Sequence, residues 1–115
     1  MTVTIYHNPR CSKSRQTLAI LNENGITPTV REYLKEAPTA VELNEVLKML
    51  NKETRELMRK NEAEYKEAGL DNNDLSRDQL IEAMVTYPKL IERPIVIKEG
   101  EARIGRPPES VLEIL

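Results

Sequence analysis

The run "RPIVIKEGEARIGRP", residues 93–107, constrains what this chain can fold into more than any other stretch. "PIVI" and "ARI" flank Glu99-Gly100, and two apolar, partly β-branched runs around a glycine-containing turn predict a hairpin. A hairpin alone is marginal in water and has to join other elements. The other strand-like runs lie early: "TVTIYH", which stops at Asn8-Pro9, and "TPTVREYL" over residues 27–34. From about Ser12 to Asn24 the pattern is helical, with Leu18 and Leu21 on one face and Gly25 as the stop.

The middle of the chain reads as helices. Thr39 and Glu42 have capping-box spacing, and Leu43, Val46, Leu47 and Leu50 then repeat at i, i+3, i+4, i+7. Residues 53–69 are charged and helix-prone up to Gly69, and "DNND" at 71–74 is a turn. Ser76 and Gln79 suggest a second cap before a stripe of Leu80, Ile81, Met84 and Val85 that ends at Tyr87-Pro88. "PESVLEIL", residues 108–115, predicts a short closing helix. The order suits an α/β, thioredoxin-like layout: βαβ, then ββα, in one mixed four-stranded sheet. On this reading residues 1–115 form a single domain with a helical insertion at about 39–88. An α+β sandwich of different connectivity is the alternative that periodicity leaves open.

Composition narrows the function. With 39% hydrophobic and 31% charged residues and a net charge of −2, the chain has no general pull toward nucleic acid or membranes. It lacks Phe and Trp, and its four tyrosines are scattered, so there is no platform for stacking bases. No apolar run approaches a membrane span and no signal-peptide pattern opens the sequence, which makes the cytoplasm the expected location; few hydrophobic residues are left unassigned to a core face, and a monomer is the expected state. One Cys and one His exclude the usual zinc ligand sets, so no metal is expected. A single cysteine cannot form an internal disulfide, and redox work would need a second thiol from another molecule.

That cysteine sits in "YHNPRCSKSR", residues 6–15, with the only histidine. A helix starting near Ser12 places Cys11 at its N-terminus, where free N–H groups and the helix dipole favour a thiolate. Arg10, Lys13 and Arg15 add positive charge. Such settings lower a thiol pKa from about 8.5 to roughly 3.5–7.5. His7 offers a further contribution, as a proton acceptor or as an imidazolium neighbour. A buried structural cysteine beside a solvated basic helix face is the bland alternative, but that role gains nothing from three cations. The same N–H groups can hold an oxyanion. A low-molecular-weight phosphatase loop needs Cys-x5-Arg, and Thr17 stands where that arginine belongs. A dithiol oxidoreductase needs Cys-x-x-Cys, and position 14 is serine, which keeps a hydroxyl able to donate to the sulfur. Three distant arginines stand apart from ordinary surface charges: Arg59 in "RELMR", Arg93 before Pro94, and Arg106 before Pro107-Pro108. A guanidinium fixed beside an X-Pro bond can fork onto a tetrahedral oxyanion.

"YHNPRCSKSR", "RELMRKNEAEYKEAGL", "LIERPIVI" and "RIGRPPESVLEIL", in that order, resemble the glutathione- and glutaredoxin-dependent arsenate reductases over essentially the whole chain. The resemblance implies a thioredoxin-like fold, Cys11 as nucleophile, His7 as the residue that helps depress its pKa, and Ser14 as the adjacent hydroxyl. It implies that Arg59, Arg93 and Arg106 bind arsenate, that Pro94 is a cis proline near the thiol, and that no cofactor is bound. Glutathione would be the co-substrate and glutaredoxin the protein partner. Two alternatives share the fold: an Spx-like regulator that contacts RNA polymerase, which usually carries the second cysteine that Ser14 replaces, and a monothiol thiol-disulfide oxidoreductase, for which the three arginines are unnecessary.

Overall fold

The β-branched run Val3–Tyr6 (β1) takes the middle of a sheet. It pairs in parallel with Thr29–Arg31 (β2) and antiparallel with Ile95–Lys98 (β3), and β3 pairs antiparallel with Glu101–Ile104 (β4). The strand order is β2-β1-β3-β4, the mixed four-stranded sheet expected. This computed structural model describes residues 2–115, and its contacts divide the chain into two compact units. One is built from the chain up to Glu36 and from Arg93 onward; the other is Ala37–Glu92.

In the first unit the hairpin turns where the sequence predicts. Glu99 (φ 49°) and Gly100 (φ 80°) are both left-handed, as a two-residue turn matched to strand twist requires. Helix Ser12–Glu23 (α1) covers one face of the sheet. Val3, Ile5, Leu21, Val96, Val111 and Ile114 form one buried cluster, each side chain worth about 1.5–3 kcal/mol when fully removed from water. Val111 and Ile114 come from a 3-10 helix, Pro108–Ile114, whose three-residue turn puts positions three apart on the same side. β2 is shorter than the expected 27–34, because the chain turns at once: the amides of Lys35 and Glu36 both donate to the Glu32 carbonyl at 2.9 Å, and Tyr33 is buried.

Pro94 follows a cis peptide bond, and so does Pro107, which the sequence reading did not anticipate. Between them, Gly105 donates its amide to the Pro94 carbonyl at 2.9 Å. A Cβ at Gly105 would lie 2.5 Å from Thr17 Oγ1 and 2.8 Å from Pro94 Cγ, so only glycine fits where the end of β4 presses on α1.

In the second unit both predicted caps form. Thr39 and Glu42 exchange bonds of 2.9 and 3.1 Å ahead of Ala40–Leu50 (α2). Ser76 and Gln79 do the same at 2.8 and 3.2 Å ahead of Arg77–Thr86 (α4). Leu43, Val46 and Leu47 of α2 and Leu80, Ile81 and Met84 of α4 are buried as the stripes imply. Residues 53–69, read as helix-prone, form two short helical pieces separated by extended backbone. A 3-10 turn, Thr54–Leu57, ends at Met58, which bridges antiparallel to Ile91; a short helix, Ala63–Glu67 (α3), follows. The cause is local. The only apolar pair early in that stretch, Leu57 and Met58, is adjacent and wholly buried, and the extended backbone is paid by Arg59 N–H to Leu90 O at 2.6 Å and Glu92 N–H to Leu57 O at 2.7 Å. Among the described residues, no helix is long and apolar enough to cross a membrane.

Candidate active site

One end of the sheet of the first unit collects the chemistry. The register Tyr6↔Arg31, Tyr6↔Ile95 and Ile95↔Ile104 brings the ends of β1, β2 and β4 beside the start of β3. His7, the Asn8–Cys11 loop, Arg93 and Arg106 therefore emerge together.

Cys11 is the N-cap residue of α1, with extended backbone (φ −94°, ψ 123°) and 8% of its surface exposed. Its amide donates to the Asn8 carbonyl at 3.0 Å and its carbonyl accepts from Arg15 N–H at 3.0 Å, so the loop and the first helical turn fix it from both sides. Burial pushes the thiol pKa up. Against that stand the Ser14 amide, the Arg93 guanidinium through hydrogen bonding and charge, and the Lys13 amide; together they win and hold it below the ordinary thiol value. Arg106 adds a long contact, Nη2 to Sγ at 3.8 Å, and its Nε donates to the Arg93 carbonyl at 2.7 Å. The two arginines are thus tied to one another at the cis proline.

The basic residues next to the cysteine do something else. Arg10 and Lys13 have exposed side chains, and Arg15 Nη1 donates to the Pro9 carbonyl at 2.9 Å, closing the loop. Positive charge at the sulfur comes from the far end of the chain. Lys13 helps through its backbone N–H, not its ammonium.

His7 and Ser14 meet each other. His7 Nδ1 lies 2.6 Å from Ser14 Oγ, which also accepts the Asn8 amide at 3.0 Å. Burial is the main cause that lowers the His7 pKa; Glu32 opposes it and Arg15 reinforces it. Burial therefore favours the neutral ring of His7 over the imidazolium. The bond from Ser14 to the sulfur is made by its amide, while its hydroxyl serves His7 and the loop. Asn8, which sequence reasoning passed over, organises the turn: its side chain accepts the Arg10 amide at 3.0 Å, an Asx turn that the Asn-Pro dipeptide signals. Thr17 and Gly105, which seat β4 against α1, left no such signal.

Arg59 belongs to the second unit. Its Nη1 lies 3.3 Å from Glu92 Oε1 and its Nε 3.6 Å from Glu62 Oε1. Among the described residues, the buried side-chain nitrogen or oxygen atoms without a hydrogen-bond partner are Arg59 Nε and Arg93 Nε. No group of three or more metal-ligating side chains occurs among the described residues.

The mixed four-stranded sheet, with the chain's one cysteine at a helix N-terminus and a cis proline just before β3, makes this a protein of thioredoxin-like fold without a second internal thiol. The ArsC family model matches residues 6–114, and the chain belongs to that family. It is 57% identical over 114 residues to the uncharacterized protein YfgD of Escherichia coli, with 98% of this chain and 96% of that one covered. It is 50% identical over 116 residues to an arsenate reductase of Haemophilus influenzae, covering both chains completely. The solved structure of an arsenate reductase from Vibrio cholerae superposes with a TM-score of 0.97 at 54% identity, covering 100% of this chain and 98% of that one.

Proposed function

We propose that the protein is a cytoplasmic, monomeric arsenate reductase that uses glutathione and glutaredoxin. The observation that carries this reading is the buried guanidinium donor Arg93 Nε, which has no hydrogen-bond partner, in a chain whose one thiol has its pKa lowered in part by that same guanidinium. A buried donor without an acceptor costs about 1–3 kcal/mol, and a tetrahedral oxyanion is the acceptor a guanidinium fits best. Arg93 and Arg106 flank the sulfur and neutralise charge on the oxygens of arsenate as Cys11 attacks, displacing one oxygen as water. Arg59 keeps its place as the third arsenate-binding arginine on the family resemblance alone. Glutathione then supplies the second thiol. Two thiols give up the two electrons that take arsenic(V) to arsenic(III), arsenite leaves, and the resulting mixed disulfide is reduced by glutaredoxin.

The test is NADPH oxidation coupled through glutathione reductase, glutathione and glutaredoxin, with the parent and Cys11→Ser compared. Turnover that requires arsenate, glutaredoxin and Cys11 together is the expected result. Turnover undiminished in Arg93→Ala would sink the arginine assignment, and a reactive thiol without arsenate turnover would sink the substrate.

A further inference from the structure

Asn8-Pro9-Arg10-Cys11 carries the chain from β1 into α1, and one residue of it makes most of the bonds that hold it. The Cys11 amide donates to the Asn8 carbonyl at 3.0 Å and closes a four-residue turn, in which asparagine first and proline second are the favoured pair. The Arg10 amide donates to Asn8 Oδ1 at 3.0 Å. The Asn8 amide donates at 3.0 Å to Ser14 Oγ, which is wholly buried in the first turn of α1. Asn8 thus spends its N–H, its C=O and its side-chain oxygen on the approach to the cysteine.

The direction in which Cys11 carries its sulfur follows from its backbone, φ −94° and ψ 123°, and the turn before it holds its N–H in place. Burial raises the thiol pKa; among the groups that lower it the Ser14 amide comes first, ahead of Arg93 and the Lys13 amide. An N–H acts on a neighbour only while it points at it, and the interaction weakens steeply as the angle opens. A small rotation of the turn therefore takes the sulfur off its strongest support. Arg93 and Arg106, the charged side chains at the sulfur, reach it from the other side of β1 and make no bond to this turn that would hold it. Two side chains do hold it: Arg15, whose Nη1 reaches the Pro9 carbonyl at 2.9 Å, and Asn8. The Arg15 bond is exposed and ties down a long side chain, whereas the Asn8 bond closes over two residues and orders only a short one.

We infer that Asn8 is a positioning residue for Cys11: its side-chain oxygen, by holding the Arg10 amide, fixes the turn that keeps the sulfur in line with the amides at the start of α1. Asn8 itself takes no part in the attack. Only what the thiol attacks is taken from the proposed reductase function.

The test is the rate of Cys11 alkylation by iodoacetamide at about pH 6 and about pH 9. Asn8→Ala removes the acceptor and should react about threefold slower at the lower pH, within what one hydrogen bond contributes. The gap should close at the higher pH, where an ordinary thiol is largely ionised as well. Asn8→Ser, whose hydroxyl makes the same turn more weakly, should recover part of the rate. Thr39→Ala, which opens a cap in the second unit, should react like the parent, because lost stability alone does not turn the sulfur. In the parent, the Arg10 amide should exchange with solvent at least about tenfold more slowly than an unstructured amide, although its residue is exposed. Asn8→Ala reacting at the parent rate, Asn8→Ser reacting no faster than Asn8→Ala, or Thr39→Ala slowed equally would each overturn the inference. Free exchange of the Arg10 amide would do the same, even if Asn8→Ala did not fold. These readouts use no arsenate, so the expected rates in a protein without arsenate turnover would uphold Asn8 and refute the reductase reading instead.

Discussion

Replacing Gly105 by alanine tests whether the seat of β4 on α1 governs the thiol. Against the 3.4 Å at which ordinary contact begins, the new Cβ would sit roughly 0.9 Å too close to Thr17 Oγ1 and roughly 0.6 Å too close to Pro94 Cγ. Neither neighbour yields easily. Thr17 is wholly buried with Oγ1 bonded to the Lys13 carbonyl at 2.8 Å, and Pro94 is a ring on a fixed backbone. Overpacking of this kind costs about 1–3 kcal/mol, which for a chain of this size lowers the melting temperature by on the order of 5–10 °C. The strain should relax by moving the end of β4, and Arg106 is the next residue. Its 3.8 Å contact to the sulfur and its bond to the Arg93 carbonyl would both lengthen. Thermal unfolding and the rate of Cys11 alkylation by iodoacetamide against pH are the assays: Gly105→Ala should melt lower and its thiol should titrate higher. Thr17→Ala, which removes two of the three crowding atoms, should return part of the lost stability in the double variant, with a coupling of about 0.5 kcal/mol or more. Parent-like melting of Gly105→Ala would refute the reasoning outright.

Arg93→Ala should raise the Cys11 alkylation midpoint toward that of a free thiol, while Arg10→Ala should leave it in place, because only the first guanidinium lowers the thiol pKa. The lowered pKa also gives Cys11 a pH-dependent share of stability: it is complete above the unfolded thiol's pKa and lost as pH falls through the lower folded one. Urea unfolding of the parent relative to Cys11→Ser should show the parent gaining between those two values. His7, as the only histidine, can be followed by NMR without assignment, and its midpoint should fall below 6.5. Here the stability is complete above about 6.5 and is lost as pH drops toward the folded value; a midpoint at or above 6.5 would contradict a buried neutral ring. Thr39→Ala should cost about 1 kcal/mol in urea unfolding by opening the cap of α2.

The parts legible in the sequence were those decided by near neighbours. Thr39 with Glu42, Ser76 with Gln79, and Glu99-Gly100 each act over three residues or fewer, and each formed as read. Cys11 at the start of α1 was equally local. Residues 53–69 are broken by extended backbone because helix propensity there met no apolar stripe, and burying Leu57 with Met58 beside residues 90–92 outweighed it. The thiol's surroundings were half legible. Three cations adjacent in sequence suggested the source of its low pKa, but side chains at a helix start spread around the axis, and those of Arg10 and Lys13 face solvent. The amides of the same turn and a guanidinium from the start of β3 act instead, and adjacency in sequence carries no trace of that arrangement.

The central position of β3 sets when the site can exist. Val3 finds its partner only in Lys98 and Tyr6 in Ile95, so β1 has one open edge until nearly all of the chain has left the ribosome. Closing so long a loop is the slow, entropically costly step of such a topology. Cys11 is made early and its guanidinium neighbours last. The Arg93 and Arg106 contacts to the sulfur are therefore absent from a nascent chain until β3 and β4 have joined β1.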